Sequence, residues 1–117
     1  MLLAWLDPHL HHLVRDRSRL RNACGGRHAA IEDLLALVSA SPTLRDLGSF
    51  RSVSAATHAG ELKLKMEECA LHARLLDADG QPVELRGPKH LASSGGTRSL
   101  LIVNLEIDGR SLQRLAS

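Results

Sequence analysis

Three groups of residues have the types and spacing that chemistry needs. His9, His12 and Asp16 stand at i, i+3 and i+7, so a helix there would bring two imidazoles and a carboxylate to one side. A borderline divalent ion such as zinc takes that donor set, and His11 and His28 lie near in the chain. No Cys or Glu is spaced to complete the site, and solvated histidines on an amphipathic helix give the same pattern, so no metal ion is assigned. Cys24 has His28 four residues on, but a thiol becomes a nucleophile only when a base or positive charge holds it as thiolate. The spacing does not supply that contact. Cys69 falls in the apolar pattern from Met66 to Leu71 and reads as structural. The acidic pairs Glu67-Glu68 and Asp77/Asp79 sit in charge-alternating or turn settings that solvation explains. Neither a catalytic residue nor a cofactor is expected.

Ser93-Ser94-Gly95-Gly96-Thr97, before Arg98, is a loop whose amides are free to face a phosphate if a helix begins there. It resembles the Ser-Gly-Gly signature of the ABC-type ATPases. The P-loop pattern G-x-x-x-x-G-K-[ST] that such an enzyme needs is missing from the sequence. The expectation is a loop ahead of a buried strand.

The elements that must position these residues follow from composition and periodicity. The 117 residues suit one domain, with a helical part to about residue 68 and a β-rich part from about 70. Hydrophobic residues make up 44%, but there is one Trp, one Phe and no Tyr, so the core must be aliphatic. Scarce rings argue against surfaces that work by base stacking. A net charge of +2 leaves any nucleic-acid or membrane affinity to local clustering. Two cysteines are too few for a secreted disulfide scaffold of this size. The apolar opening Met1 to Leu6 stops at Asp7, with neither a basic start nor a cleavage pattern. A cytoplasmic protein with no membrane span is expected.

Asp7-Pro8 is a cap-and-first-turn pair, and Leu10, Leu13, Val14, Arg17 and Leu20 continue at helical spacing to Gly25-Gly26. This predicts a helix over about 8–24, followed by others over about 27–38 and 43–50. The last opens on Thr43 and Asp46, spaced as a capping box. From Ser54 to Ala73 two periods compete. Ala55, Ala59, Leu62, Met66 and Cys69 line a helix face, whereas Leu62, Leu64 and Met66 alternate with charges as in a strand. Gly60 favours the strand, but the reading adopted is helical to about Glu68. Leu71–Leu76 and Val83–Arg86 then predict a hairpin around Asp77–Gly80, and the Gly/Pro/Ser-rich stretch 87–97 predicts a loop. Ser99–Ile107 predicts a strand buried on both faces, after which Leu112 and Leu115 pack back. The fold class is α+β: N-terminal helices followed by a small antiparallel sheet.

Within this order, the stretch from Thr43 to Leu62, TLRDLGSFRSVSAATHAGEL, resembles the helix-turn-helix of the LacI-type repressors and, more loosely, of bacterial winged-helix regulators. Thr43-Leu44, Asp46-Leu47, Gly48, Val53-Ser54 and Thr57 carry the match, while Ser52 stands where the family has its turn glycine. The resemblance implies a winged-helix variant and a small bacterial or phage-type regulator that binds duplex DNA. Its second helix, Ser54 to Lys65, would enter the major groove. Arg51, Ser54, Thr57 and Lys63 would then meet DNA there, and Arg74, Arg86 and Lys89 would touch phosphates from the hairpin. The alternative is a non-enzymatic protein-interaction module (inhibitor, immunity protein or adaptor), which would leave an apolar patch exposed in the monomer or bury it in a homodimer. It would use the leucine stripe of the first helix or the strand 100–107, with Trp5 as anchor.

Overall fold

The computed structural model describes residues 1–112. Seven strands form one sheet, and helices cover one of its faces. The strands are β1 (Leu2–Trp5), β2 (Ser54–His58), β3 (Glu61–Met66), β4 (Cys69–Leu76), β5 (Pro82–Val83), β6 (Ser99–Ile107) and β7 (Arg110–Ser111). Their order is β1-β6-β4-β3-β2, with β5 on β4 and β7 on β6. All pairs are antiparallel except β1 with β6, so the sheet is mixed rather than purely antiparallel. The opening apolar residues, which the periodicity did not assign, supply the parallel edge strand.

The largest correction is to the ambiguous stretch. Ser54–His58 and Glu61–Met66 are a β-hairpin, not a helix. Ala59 and Gly60 both take left-handed φ, 50° and 81°, the pair that a two-residue hairpin loop needs to match strand twist. A Cβ at Gly60 would also come within 2.9 Å of Glu84 Cγ, so the exposed Glu84 side chain would have to move aside. Alternation then buries Leu62 and Leu64 and turns Lys63 and Lys65 to the other face. Burying that alternating pair in a sheet outweighs the weaker helical pattern.

The helices are α1 (Pro8–Arg15), α2 (Arg17–Cys24), α3 (His28–Ala40), α4 (Leu44–Gly48) and α5 (Pro88–Ser93). The helix expected over 8–24 is two, because Asp16 leaves helical geometry at φ −99°, ψ 99° and caps the next segment by accepting from Arg19 N–H. The expected capping box forms: Asp46 N–H donates to Thr43 Oγ1 at 3.3 Å and Thr43 N–H to Asp46 Oδ2 at 3.1 Å. The stretch expected as loop contains α5, which starts on Pro88 at its first turn, where no intrahelical N–H is required. Among the described residues no helix is long and apolar enough to cross a membrane.

The core lies between helices and sheet. Leu10, Leu13, Leu20, Ile31, Leu34, Val38, Leu44 and Leu47 meet Leu62, Leu64, Leu71, Leu75, Leu100, Ile102, Leu105 and Ile107. Each such side chain contributes roughly 1.5–3 kcal/mol by leaving water. β6 is not buried on both faces, as its near-continuous apolar run suggested. A bulge opposite His72/Ala73 makes Val103 the extra residue, so the buried set shifts from Leu100 and Ile102 to Leu105 and Ile107. That change of parity hides the alternation. Leu112 does pack into the core, while Leu115 lies outside the described residues.

Candidate functional site

The hairpin disperses the residues assigned to a DNA-reading helix. Ser54, Ala56 and His58 face the uncovered side of the sheet, while Ala55 and Thr57 face the helices. Lys63 and Arg74 share the uncovered face with Ser54, and Arg74 Nε stands 3.7 Å from Glu61. Arg51 lies in the turn before β2, Arg86 follows β5, and Lys89 is in the first turn of α5. Ser54, Lys63 and Arg74 are thus brought together, whereas Thr57, Arg86 and Lys89 are not on that surface.

The other candidate chemistries also resolve into structure. His9 and His12 stay on α1, but Asp16 has left its face to cap α2. His11 stacks on Trp5 at 4.8 Å with the rings 6° from parallel. Burial, then Arg15 and His12, hold His11 below the usual imidazole range. Among the described residues no group of three His, Cys, Asp or Glu side chains is placed to hold a metal ion. Cys24 is buried and burial pushes its thiol up, away from the thiolate a nucleophile needs. His28 points its Nε2 at Glu32 Oε1, 3.8 Å away. Cys69 is pushed up to about 11, by burial first and then by Cys24 and Glu67.

The Ser-Gly-Gly loop spends its backbone on the fold. The carbonyls of Gly95 and Thr97 accept from Arg45 and Leu44 N–H at 2.9 Å, satisfying the first turn of α4. Ser94 and Thr97 amides bond the carbonyls of Leu91 and Ser94, so they do not form a phosphate cradle. The loop also borders a cleft of ≈ 670 Å³ with Leu76, Asp77, Val83 and Arg98.

Two features remain that the sheet constructs and no residue of the core requires. The first is the uncovered face, where side chains fall in rows across the strands. One row runs Ala56, Lys63, His72, Asn104; the next runs Ser54, Lys65, Ala70, Glu106, Ser111. His72 is 8% exposed, with Glu106 Oε1 2.6 Å from Nε2 but out of line with the ring N–H, and His58 edge-on at 6.3 Å. Ser111 Oγ donates to Asn104 Oδ1 at 2.9 Å. The side chains of Lys63 and Lys65 make neither an ion pair nor a hydrogen bond among the described residues.

The second feature is the free edge of β2. A two-residue loop closes on a hydrogen-bonded pair, here His58 with Glu61, and bonded pairs then recur at Ala56–Lys63 and Ser54–Lys65. The N–H and C=O groups of Ala55 and Thr57 therefore point outward, and no main-chain partner meets them among the described residues. Edge strands are usually blunted by charge, proline, a bulge or a covering element; Ser54-Ala55-Ala56-Thr57-His58 has no Lys, Arg, Asp, Glu or Pro and an unbroken register, and α5 packs beside it through Leu91 and Ala92. Beside it on the helix side is a notch of ≈ 170 Å³, bordered by Leu47, Val53, Ala55, Leu64, Leu91 and Ala92. Sequence reasoning missed this edge because it placed Ala55 and Thr57 on a helix. The signal that marks it is Gly60 ahead of the Leu62/Leu64 alternation.

These features define a class: a two-layer α+β domain with helices on one sheet face and an open, uncharged edge strand. Set against known protein families, curated proteins and solved structures, the chain has no match.

Proposed function

We propose that this chain is a non-enzymatic protein-interaction module that takes an extended segment of a partner as an additional strand on β2. The observation that carries the reading is the outward row of Ala55 and Thr57 backbone groups next to the apolar notch. In strand addition, main-chain bonds supply affinity, and pockets for alternate side chains supply specificity. Both components are present at β2. The other surfaces expected of an interaction module are occupied. Leu10, Leu13 and Leu20 are core, and β6 lies between β1 and β4. Trp5 is half-buried under His11.

A winged-helix regulator of duplex DNA is left without its groove-entering element, since Ser54–His58 and Glu61–Met66 are strands. The arginines and lysines assigned to DNA are split between surfaces and interleaved with Glu61 and Glu106.

The test is Ala55→Pro, which removes an outward N–H without touching the ladder to β3. Peptides selected against the wild-type chain from a displayed library should lose at least tenfold in affinity for the folded variant. Equal binding to both would contradict the reading.

A further inference from the structure

The edge also specifies the chemistry of what it accepts. Resting on the strand-addition reading, we infer that the occupant of β2 is an extended segment of a different protein in which small aliphatic residues alternate with acidic ones. A strand laid on β2 sends successive side chains to opposite faces. Those on the helix side fall beside Ala55 and Thr57, over the notch bordered by Val53, Leu64, Leu91 and Ala92. Aliphatic side chains of modest size suit that position best, because its walls are apolar apart from Arg45 and its volume is ≈ 170 Å³.

The opposite face selects by charge. The added strand's other side chains lie beside Ser54, Ala56 and His58, which are exposed. Behind Ser54 and Ala56, in register, stand Lys65 and Lys63. Strands repeat at about 4.8 Å, so the new strand would be about 10 Å from β3, a span that a lysine and a glutamate reaching towards each other can close. The small side chains of Ser54 and Ala56 leave that path clear. Neither lysine has an ion partner among the described residues, so neither must give one up. The carboxylates on that face have other basic neighbours: Glu61 lies 3.7 Å from Arg74 and Glu106 lies 2.6 Å from His72.

A second copy of the chain is the weaker occupant. Antiparallel pairing of two β2 strands about Ala56 would place Ala55 opposite Thr57, leaving the notch with only methyl and hydroxyethyl groups to fill it. It would also place Lys63 of both copies at the two ends of one row, with only the two Ala56 side chains between them.

The experiment uses the full chain and three fluorescein-labelled octapeptides, alternating Val/Glu, Val/Gln and Val/Lys, read by fluorescence anisotropy at low salt. The Val/Glu peptide should bind at least tenfold tighter than Val/Lys, with Val/Gln between. The charge reversal K63E/K65E should invert that order, whereas R19E/R21E on α2 should leave it unchanged. Equal binding of all three peptides, or an order that R19E/R21E changes as much as K63E/K65E, overturns the acidic assignment. If those peptides still require an unsubstituted Ala55, the edge itself stands. Failure of every peptide to bind, or binding unchanged by Ala55→Pro, overturns the edge. A dimer in light scattering that Ala55→Pro dissolves overturns the foreign partner in favour of a second copy.

Discussion

The sheet has two outer edges, and they are finished differently. At β1, the helix-side space is filled: His11 of α1 stacks on Trp5 at 4.8 Å. The Met1 amino group donates to the carbonyls of Ser39, at 2.9 Å, and Ser41 at the end of α3. Asp7-Pro8 ends β1 by starting a helix. On the other face, Leu2, Ala4 and Leu101 carry no charge. At β2 the helix-side space is a notch bordered by α5, and among the described residues the two open-face lysines have no ion partner and the outward backbone groups of Ala55 and Thr57 no main-chain partner. Both edges expose main-chain groups on alternate residues. What separates them is the setting that an incoming strand's side chains would meet: His11 covers Trp5 at β1, whereas β2 offers a notch and two lysines.

The largest expected effect separates the two halves of the β2 backbone. Ala56→Pro removes a donor to the Lys63 carbonyl and should lower stability by about 1–3 kcal/mol, the cost of leaving a ladder group unpaired. Ala55→Pro, one residue away, should unfold at nearly the wild-type denaturant midpoint. If both variants lose stability equally, Ala55 is not an outward residue and the comparison of edges fails.

The thiols report the covered middle between the edges. Cys69 holds its proton up to about pH 11 in the folded chain, while an unfolded thiol releases it near 9. A raised folded value means stability is full below pH 9 and declines as pH rises from 9 towards 11. Chemical denaturation across that range should show the decline, and Cys69→Ala should reduce it, leaving the part that the raised Cys24 thiol contributes. A flat wild-type profile would place Cys69 in contact with water.

A smaller effect belongs to the closed edge. His11 is held below its ordinary value, so the neutral stack with Trp5 is complete above pH 6.5 and is lost as pH falls through the lowered value. Trp5 is the one tryptophan of the chain, so its emission reports the stack directly. The emission should titrate with a midpoint below 6.5, and His11→Ala should abolish the transition. A midpoint above 6.5 would mean that His11 is not held down by burial.

Local chemistry was legible where one rule acted alone. Asp7-Pro8, the Thr43/Asp46 box and Gly25 set helix ends that the structure keeps. It was illegible where two rules competed over the same residues. Asp16 fits the amphipathic stripe of one long helix and also caps a second, and the cap prevails. Ala55, Ala59, Leu62 and Met66 fit a helix face, but Leu62 and Leu64 can both be buried only if the chain is extended. At Val103 a bulge disguises an alternating strand as a continuous apolar run. β1 escaped notice because a four-residue strand carries too little periodicity, and its partner β6 is far away in sequence. The candidate edge was hidden for the same reason: which backbone groups are free depends on register, and register depends on partners the sequence does not name.

The central claim is tested most directly by amide exchange and chemical shifts of the isotope-labelled chain, recorded with and without the alternating Val/Glu octapeptide. Protection and shifts confined to the Ala55 and Thr57 amides and their neighbours, with Leu3 and Trp5 of β1 unchanged, are the predicted result. Ala55 and Thr57 remaining as exchangeable as in the free chain while the peptide is bound elsewhere would contradict it.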